Sequence, residues 1–558
     1  MKSIQYSKLQ QHLLFNFLIP SAFFILALWL MPVASAFQFD TDEGQELIKA
    51  VLYSQGFELY TEIWSDQAPL LTIFLHNWFQ IFGESVFAAR ILILSLATVL
   101  VWSFCQTLRI CLGNLPAIIG TAMLGISCNF LRLSVSVMIG IPSLTFAMLS
   151  VYTLVLYQHN KKTYLLLFSG AFLAISLQIK MFTIFLIPLI VLQILGSKII
   201  VQYQDDIAIL ILFRCKEYWF REQGTGKGER RDVPHESGKL YNNLSAFQKP
   251  FFLFGAKSLF LKMKIWKILF PILLWLFSLA IVFILMGLRL NSASPENMFL
   301  SHFQGDLKAG FPTANSLSDL ITMFLQEIDY TLLATVGIFV AIRKNNWVNI
   351  FPVMWLACTI ILLLNHKPLW YHHYLLISIP LTWLASYGVS LALKHCQNKN
   401  SGKKFVLIKL KQLSLPIIAF YLVCFALLVT PVKLIAMQVE NHHLWQKTQI
   451  NKQTLEEISK YKEDTSWLLT DVPIYGFYAG INIPPEIAVL SRKRFASGVI
   501  DQKFISQLME KYHPEQIVID RFPRVGELLE IFAKEKYKII PQSNVQKHYI
   551  LKKITKVK

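Results

Sequence analysis

Charge is scarce in this chain. Only 16% of its 558 residues are Asp, Glu, Lys or Arg, while 54% are hydrophobic, against about 25% charged in ordinary soluble domains. A length that could hold three or four soluble domains of ~150 residues is excluded from that class, and a mean hydropathy of +0.47 marks a membrane protein. Cysteine is sparse too. The seven cysteines (Cys105, Cys111, Cys128, Cys215, Cys358, Cys396, Cys424) form no CxxC pair, so no zinc site or disulfide framework is implied. No internal repeat of the kind that marks inverted-repeat transporters is visible. The cluster Gly224-Thr225-Gly226-Lys227-Gly228 lacks the Ser or Thr that would bind magnesium, which excludes a P-loop.

Apolar runs of about 20 residues fall at Leu13–Ala36, Val86–Leu108, Leu115–Leu131, Val137–Tyr157, Leu165–Ile179, Phe182–Leu195, Ile265–Leu288, Leu320–Ile342, Val348–Leu364, Tyr371–Leu393 and Leu415–Ala436, eleven expected crossings. The fifth and sixth are short and separated only by Lys180-Met181. Fusing them into one helix would invert everything downstream, so charge must arbitrate. With the N-terminus inside, the cytoplasmic segments hold 26 Lys and Arg, against about five (Lys49, Arg132, Lys180, Lys308, Lys367) in the external loops. That bias fits the positive-inside rule and puts everything after Ala436 outside. Ala34-Ser35-Ala36 resembles a signal-peptidase site, and with or without cleavage Phe37 onward is external. The net charge of +19, which in a soluble chain would point to nucleic acid, therefore reports orientation, and no nucleic-acid partner is expected.

The expected fold is a polytopic α-helical membrane protein of about eleven transmembrane helices over residues 1–436, with a small external α/β domain over 437–558. The first external loop, 37–85, is long and acidic. A basic cytoplasmic insert spans about 198–264. In the C-terminal domain, Trp467–Thr470, Gln516–Ile519, Tyr537–Ile540 and Tyr549–Leu551 read as strands. Asn451–Lys460, Asp501–Lys511 and Val525–Lys534 read as helices, alternating as in a layered α/β unit. Tyr475–Gly480 reads as a turn or as the lining of an acceptor cleft.

The chemistry-bearing stretch is Phe39-Asp40-Thr41-Asp42-Glu43-Gly44-Gln45-Glu46, at the external end of the first span. Asp40 and Glu43 form a capping-box variant opening a helix through Leu47, Ala50 and Val51. Asp42 is left over, with Glu46 and Lys49 following on its face. A carboxylate at a membrane surface can take a proton from an attacking hydroxyl.

Asp42-Glu43, Gly56-Phe57-Glu58-Leu59-Tyr60, Trp64-Ser65-Asp66-Gln67-Ala68-Pro69-Leu70 and Phe82-Gly83-Glu84-Ser85 before Ala89-Arg90 together resemble the first luminal loop of glycosyltransferase superfamily C (GT-C). The resembling branch holds the protein O-mannosyltransferases and the bacterial lipid A aminoarabinose transferase. Gly170 with Gln178-Ile179-Lys180, and Trp370-Tyr371-His372-His373-Tyr374-Leu375 before Pro380, resemble later elements of that branch. The resemblance spans roughly Leu13–Ala436, the cytoplasmic insert being extra. It implies a multi-pass enzyme of a bacterial plasma membrane that moves a sugar from a polyprenyl-phosphate donor to a lipid, glycan or protein acceptor on the external, periplasmic face, with inversion. Asp42 maps onto the family's general base and Glu43 completes that catalytic motif.

Substrate contacts are expected from Asp40 and Asp66 and, for the departing phosphate, from Arg132, Lys180, Lys367, His372 and His373. The acidic loop could hold a divalent cation or none, and the pattern does not specify metal ligands. Where many relatives carry a second acidic residue in the next external loop, this chain reads Met138-Ile139-Gly140-Ile141-Pro142. A flippase of lipid-linked sugars and a non-catalytic relative are the alternatives. A transporter would place ionisable groups near the bilayer midplane and break its helices. The plain alternatives for single residues are snorkelling for Lys180, an interfacial belt for His372 and His373, and helix capping for Asp66. His302 and Asp306 lie in the external loop Asn291–Ser318 without a recognisable partner.

Overall fold

The computed structural model describes residues 8–197, 250–290, 315–344, 347–399, 414–491, 494–495, 498–540, 545 and 547–555. The expected basic insert up to 249, and His302 and Asp306, lie outside the described residues. Among the described residues seven helices are long and apolar enough to cross a membrane, or up to nine if each of two sharply bent pairs is one span. This is an integral membrane protein.

In chain order the helices are α1 (Lys8–Leu30), α2 (Thr41–Ser54), α3 (Leu70–Phe82), α4 (Val86–Leu112), α5 (Asn114–Ile126), α6 (Cys128–Val135), α7 (Gly140–Asn160), α8 (Tyr164–Ile179), α9 (Met181–Ser197), α10 (Pro250–Arg289), α11 (Ser316–Gln326), α12 (Ile328–Arg343), α13 (Trp347–Leu364), α14 (Tyr374–Lys399) and α15 (Leu415–Ser459). The expected third and eighth crossings are the bent pairs, α5 with α6 at 68° and α11 with α12 at 93°. The fifth and sixth are the shorter helices α8 and α9. Together with α3, a further short apolar helix inside the acidic loop, they leave the count of eleven as an expectation.

Small side chains let these helices approach closely, as membrane packing without a hydrophobic drive requires. A Cβ on Gly337 of α12 would lie 1.8 Å from the Leu384 carbonyl oxygen of α14, and one on Gly170 of α8 would lie 2.6 Å from that of Trp275 on α10. Hydroxyls join α7 to α8 at two levels, Ser143 with Ser176 and Ser150 with Ser169, each pair 3.1 Å apart. At the break between α11 and α12, Glu327 accepts from Ser127 Oγ at 2.8 Å, which ties it to the other bend. Lys433 of α15 pairs with both Glu327 and Asp329 there.

Beyond the membrane, β1 (Leu468–Thr470), α16 (Ile474–Ala479), α17 (Gln502–Tyr512), β2 (Gln516–Ile519), α18 (Pro523–Lys536), β3 (Tyr537–Ile539) and β4 (Lys547–Leu551) form the small α/β unit. Its sheet has the order β1-β2-β4-β3, with β1 and β2 parallel and the other pairs antiparallel. The stretch read as a turn, Tyr475–Gly480, is the short helix α16 closed by a left-handed Gly480 at φ 63°. The boundary expected at Met437 falls inside α15, which runs unbroken from Leu415 to Ser459.

One helix belongs to both halves. In α2, Leu47 and Ala50 pack into the membrane core, while Ile48 and Leu52 pack into the core of the C-terminal unit. Gly44 makes that second contact possible, since a Cβ there would lie 2.7 Å from the backbone nitrogen of Ile474.

Candidate active site

The cap of α2 forms because Asp40 is extended (φ −149°, ψ 155°) and its carboxylate accepts the Asp42 N–H at 2.9 Å. This satisfies one of the unpaired donors of the first turn. The expected box does not close: Glu43 Oε2 accepts from Phe39 N at 2.9 Å, one residue ahead of the cap. The cap fixes where the helix begins. Asp42, Gln45, Glu46 and Lys49 then share one face and line a cavity of about 270 Å³.

The cavity lies between the membrane helices and the C-terminal unit. Thr41, Asp66 and Gln67 add to the acidic wall; Lys180, His366, Tyr371, His372 and His373 close the membrane side, and Val489, Leu490, Ser491 and Arg521 come from the C-terminal unit. Burial, and then the neighbouring Asp40 carboxylate, push the Asp42 carboxyl up to about 7, against the opposing pull of Arg521 and Lys180. Burial also raises Asp40, opposed by its hydrogen bond from Asp42 and by Arg521 and Arg132.

Lys180 occupies the extended break between α8 and α9. Its N–H donates to Ser176 O at 3.0 Å, and Nζ lies 4.7 Å from the Phe182 ring centroid. In the turn Tyr371–His373 the rings of His372 and His373 are 4.5 Å apart, with His366 4.7 Å from His373. Trp370 N donates to His373 Nδ1 at 3.1 Å. Asp66 accepts from the Gln67 side chain at 3.0 Å.

Three of the residues expected at the site do not reach the cavity. Glu43 is fully buried on another face, where Oε1 and Oε2 accept from Arg90 Nε at 2.9 Å and Nη2 at 2.8 Å. Val137 N adds a fourth donor at 3.2 Å. Arg90, in turn, gives Nη1 to the carbonyls of Val33 and Ala36, both at 2.8 Å. This pair knots α2, α4 and the chain before Asp40, and it places the Glu43 carboxylate away from the cavity that Asp42 lines, where the sequence had set the two side by side. Arg132 pairs with Glu440, donates to Phe39 O at 3.0 Å and lies 5.0 Å from the Tyr371 ring centroid. It clamps α6, α15 and the Tyr371 turn from behind the cavity wall. Lys367 is exposed and lines no part of the cavity.

Sequence reasoning missed Arg521. It stands just past the end of β2, in a turn held by Asp471 just past the end of β1. Asp471 accepts from the backbone nitrogens of Asp520 at 2.9 Å, Arg521 at 2.8 Å and Phe522 at 2.5 Å. The parallel pairing of β1 and β2 brings those two strand ends together. Their spacing of about fifty residues leaves no local signal beyond the strand pattern itself. Among the described residues no three His, Cys, Asp or Glu side chains converge as metal ligands.

A family model described as dolichyl-phosphate-mannose-protein mannosyltransferase matches residues 66–215. Over 97% of this chain and 98% of its own, the crystal structure of ArnT from Cupriavidus metallidurans bound to undecaprenyl phosphate superimposes with a TM-score of 0.53 at 11% identity. The chain has the fold of glycosyltransferase superfamily C. The same GT-C architecture is found in the oligosaccharyltransferase AglB from Archaeoglobus fulgidus, in complex with an inhibitory peptide and a dolichol-phosphate. That structure matches 98% of this chain and 75% of its own, with a TM-score of 0.50 at 12% identity. No curated protein matches by sequence. The resemblance read from Asp42-Glu43 and the motifs around it thus agrees with the fold.

Proposed function

We propose that this protein is a membrane glycosyltransferase that takes a sugar from a polyprenyl-phosphate donor and passes it to a lipid, glycan or protein acceptor at the external, periplasmic face of a bacterial plasma membrane. The observation that carries this reading is Asp42. It lies in a cavity at the end of the first span, with its carboxyl pushed up to about 7, where a general base is most effective near neutral pH.

Asp42 takes the proton of the acceptor hydroxyl as its oxygen bonds to the anomeric carbon, and the bond from that carbon to the phosphate oxygen breaks. Attack opposite the leaving group inverts the anomeric centre. The lipid phosphate leaves with the bonding pair, and its charge is met by Lys180, with His372 and His373 beside it on the membrane side of the cavity. Support comes from the two structural relatives that hold a polyprenyl-type phosphate in the same fold. Asp42→Asn keeps the shape and removes the base. Consumption of a radiolabelled undecaprenyl-phosphate-linked sugar by membranes carrying this variant should fall by about 10²-fold or more, and an unchanged rate would sink the reading.

A flippase is the second reading, favoured by the two bent helix pairs and by the buried Glu327 and Asp329 paired with the partly buried Lys433 at one of the bends. That cluster lines no part of the cavity. Crossing of a sugar lipid in vesicles without transfer would favour it.

A further inference from the structure

Glu46 follows Asp42 by one turn on the cavity face of α2 and is only 7% exposed. Its Oε1 accepts from Lys49 Nζ at 2.8 Å. Its Oε2 is buried and meets no donor among the described residues. The hydroxyl of Tyr371, another residue lining this cavity, is buried in the same condition. Native folds rarely leave a buried carboxylate oxygen unmet, because its desolvation is then uncompensated. Lys49 already balances the charge of Glu46, so the partner that fits Oε2 is a neutral hydrogen-bond donor.

We infer that Glu46 reads the transferred sugar, its Oε2 accepting one of the ring hydroxyls while Tyr371 Oη meets another polar group of the same ring. Lys49 is the positioning residue, since it holds Oε1 and aims the second oxygen. The inference rests on the reading that a sugar-bearing polyprenyl phosphate occupies this cavity, and it gives that sugar a hydroxyl one helical turn from the base. It makes Glu46 a determinant of which donor is accepted, apart from any role in the chemical step.

Two lipids that differ only in the sugar test it: undecaprenyl phosphate and mannosyl-phosphoryl-undecaprenol, titrated against the purified full chain in nanodiscs. The wild type should bind the mannosylated lipid more tightly than the bare carrier. Glu46→Ala should lose about tenfold in affinity for the mannosylated lipid, the scale of one hydrogen bond to a charged acceptor. Its affinity for bare undecaprenyl phosphate should stay within about twofold of wild type, which also reports that the variant is folded. Glu46→Gln, whose amide oxygen still accepts, should recover part of the difference. The inference is overturned if Glu46→Ala keeps the full preference for the mannosylated lipid, or if it loses both lipids in parallel. It is overturned as well if the wild type shows no preference while binding the carrier. Failure of the wild type to bind either lipid would instead bring down the donor reading on which it stands.

Discussion

Two adjacent carboxylates, Asp42 and Glu43, should respond in opposite ways to the same kind of substitution. Glu43 gathers four N–H donors on its two oxygens, two from Arg90 and one each from Phe39 and Val137. Glu43→Gln leaves one oxygen to accept and turns an NH2 group toward the remaining donors. It also leaves the Arg90 guanidinium, 1% exposed, without its counter-charge. Breaking a buried pair by removing one partner costs about 3–5 kcal/mol, a large share of the ~5–15 kcal/mol that holds a typical domain together. Asp42→Asn instead removes a half-buried carboxyl that is crowded by Asp40, so its effect on stability should stay within about 0.5 kcal/mol or be favourable. Thermal unfolding in detergent, followed by tryptophan emission, should therefore show Glu43→Gln melting well below wild type. Asp42→Asn should melt with the wild type while its sugar transfer is lost. A Glu43→Gln protein that melts normally, or an Asp42→Asn protein that unfolds early, would refute this division of labour.

Transfer should rise with pH through about 7, because the base must be ionised and burial has moved the Asp42 carboxyl up to that range. Arg521→Ala removes a charge that pulls the carboxyl down, so the acid limb of the rate profile should move to higher pH by about half a unit or more, with activity recovering at alkaline pH. Lys433→Met should lower the yield of folded protein, since Glu327 and Asp329 are then left inside the membrane without their cation. Adding Glu327→Gln and Asp329→Asn should restore much of that yield, because neutral amides cost far less to bury than two unpaired carboxylates. Gly44→Ala forces α2 away from Ile474, and the α/β unit should then be cut by protease at lower doses than in the wild type.

Much of the architecture was legible because it follows from composition. Long apolar runs such as Val86–Leu108 and Leu415–Ala436 can satisfy their backbone groups in a bilayer only as helices. The strands expected at Gln516–Ile519 and Trp467–Thr470 were legible as short apolar runs, and the second is observed one residue shorter, at Leu468–Thr470. What composition could not carry was bending and length. Ser127 and Glu327 sit inside otherwise continuous apolar patterns, and at the bends the partners of Glu327, a Ser127 hydroxyl and Lys433 of a distant helix, come from far along the chain. Likewise α3, Leu70–Phe82, is apolar enough to be a short membrane helix, yet it was hidden by the acidic residues on either side of it in the sequence.

The candidate site was legible to the extent that one helix carries it, and the limit lies in rotation about that helix. Successive residues of an α-helix point about 100° apart, so Asp42, Glu43 and Gly44 must face three different surroundings. In α2 those are the cavity for Asp42, Glu46 and Lys49, the membrane core for Glu43, Leu47 and Ala50, and the C-terminal unit for Gly44, Ile48 and Leu52. A helix with one buried face would have disclosed its rotation, because its apolar stripe marks the inside. A helix buried on two sides does not, since Leu47 and Ile48 both read as core and the stripe becomes a band. The rotation is set by Arg90 and Ile474, which lie far from α2 in sequence. An acidic pair at such a position is therefore best divided by asking which member has a buried arginine to answer: Arg90 answers Glu43 and leaves Asp42 to the cavity.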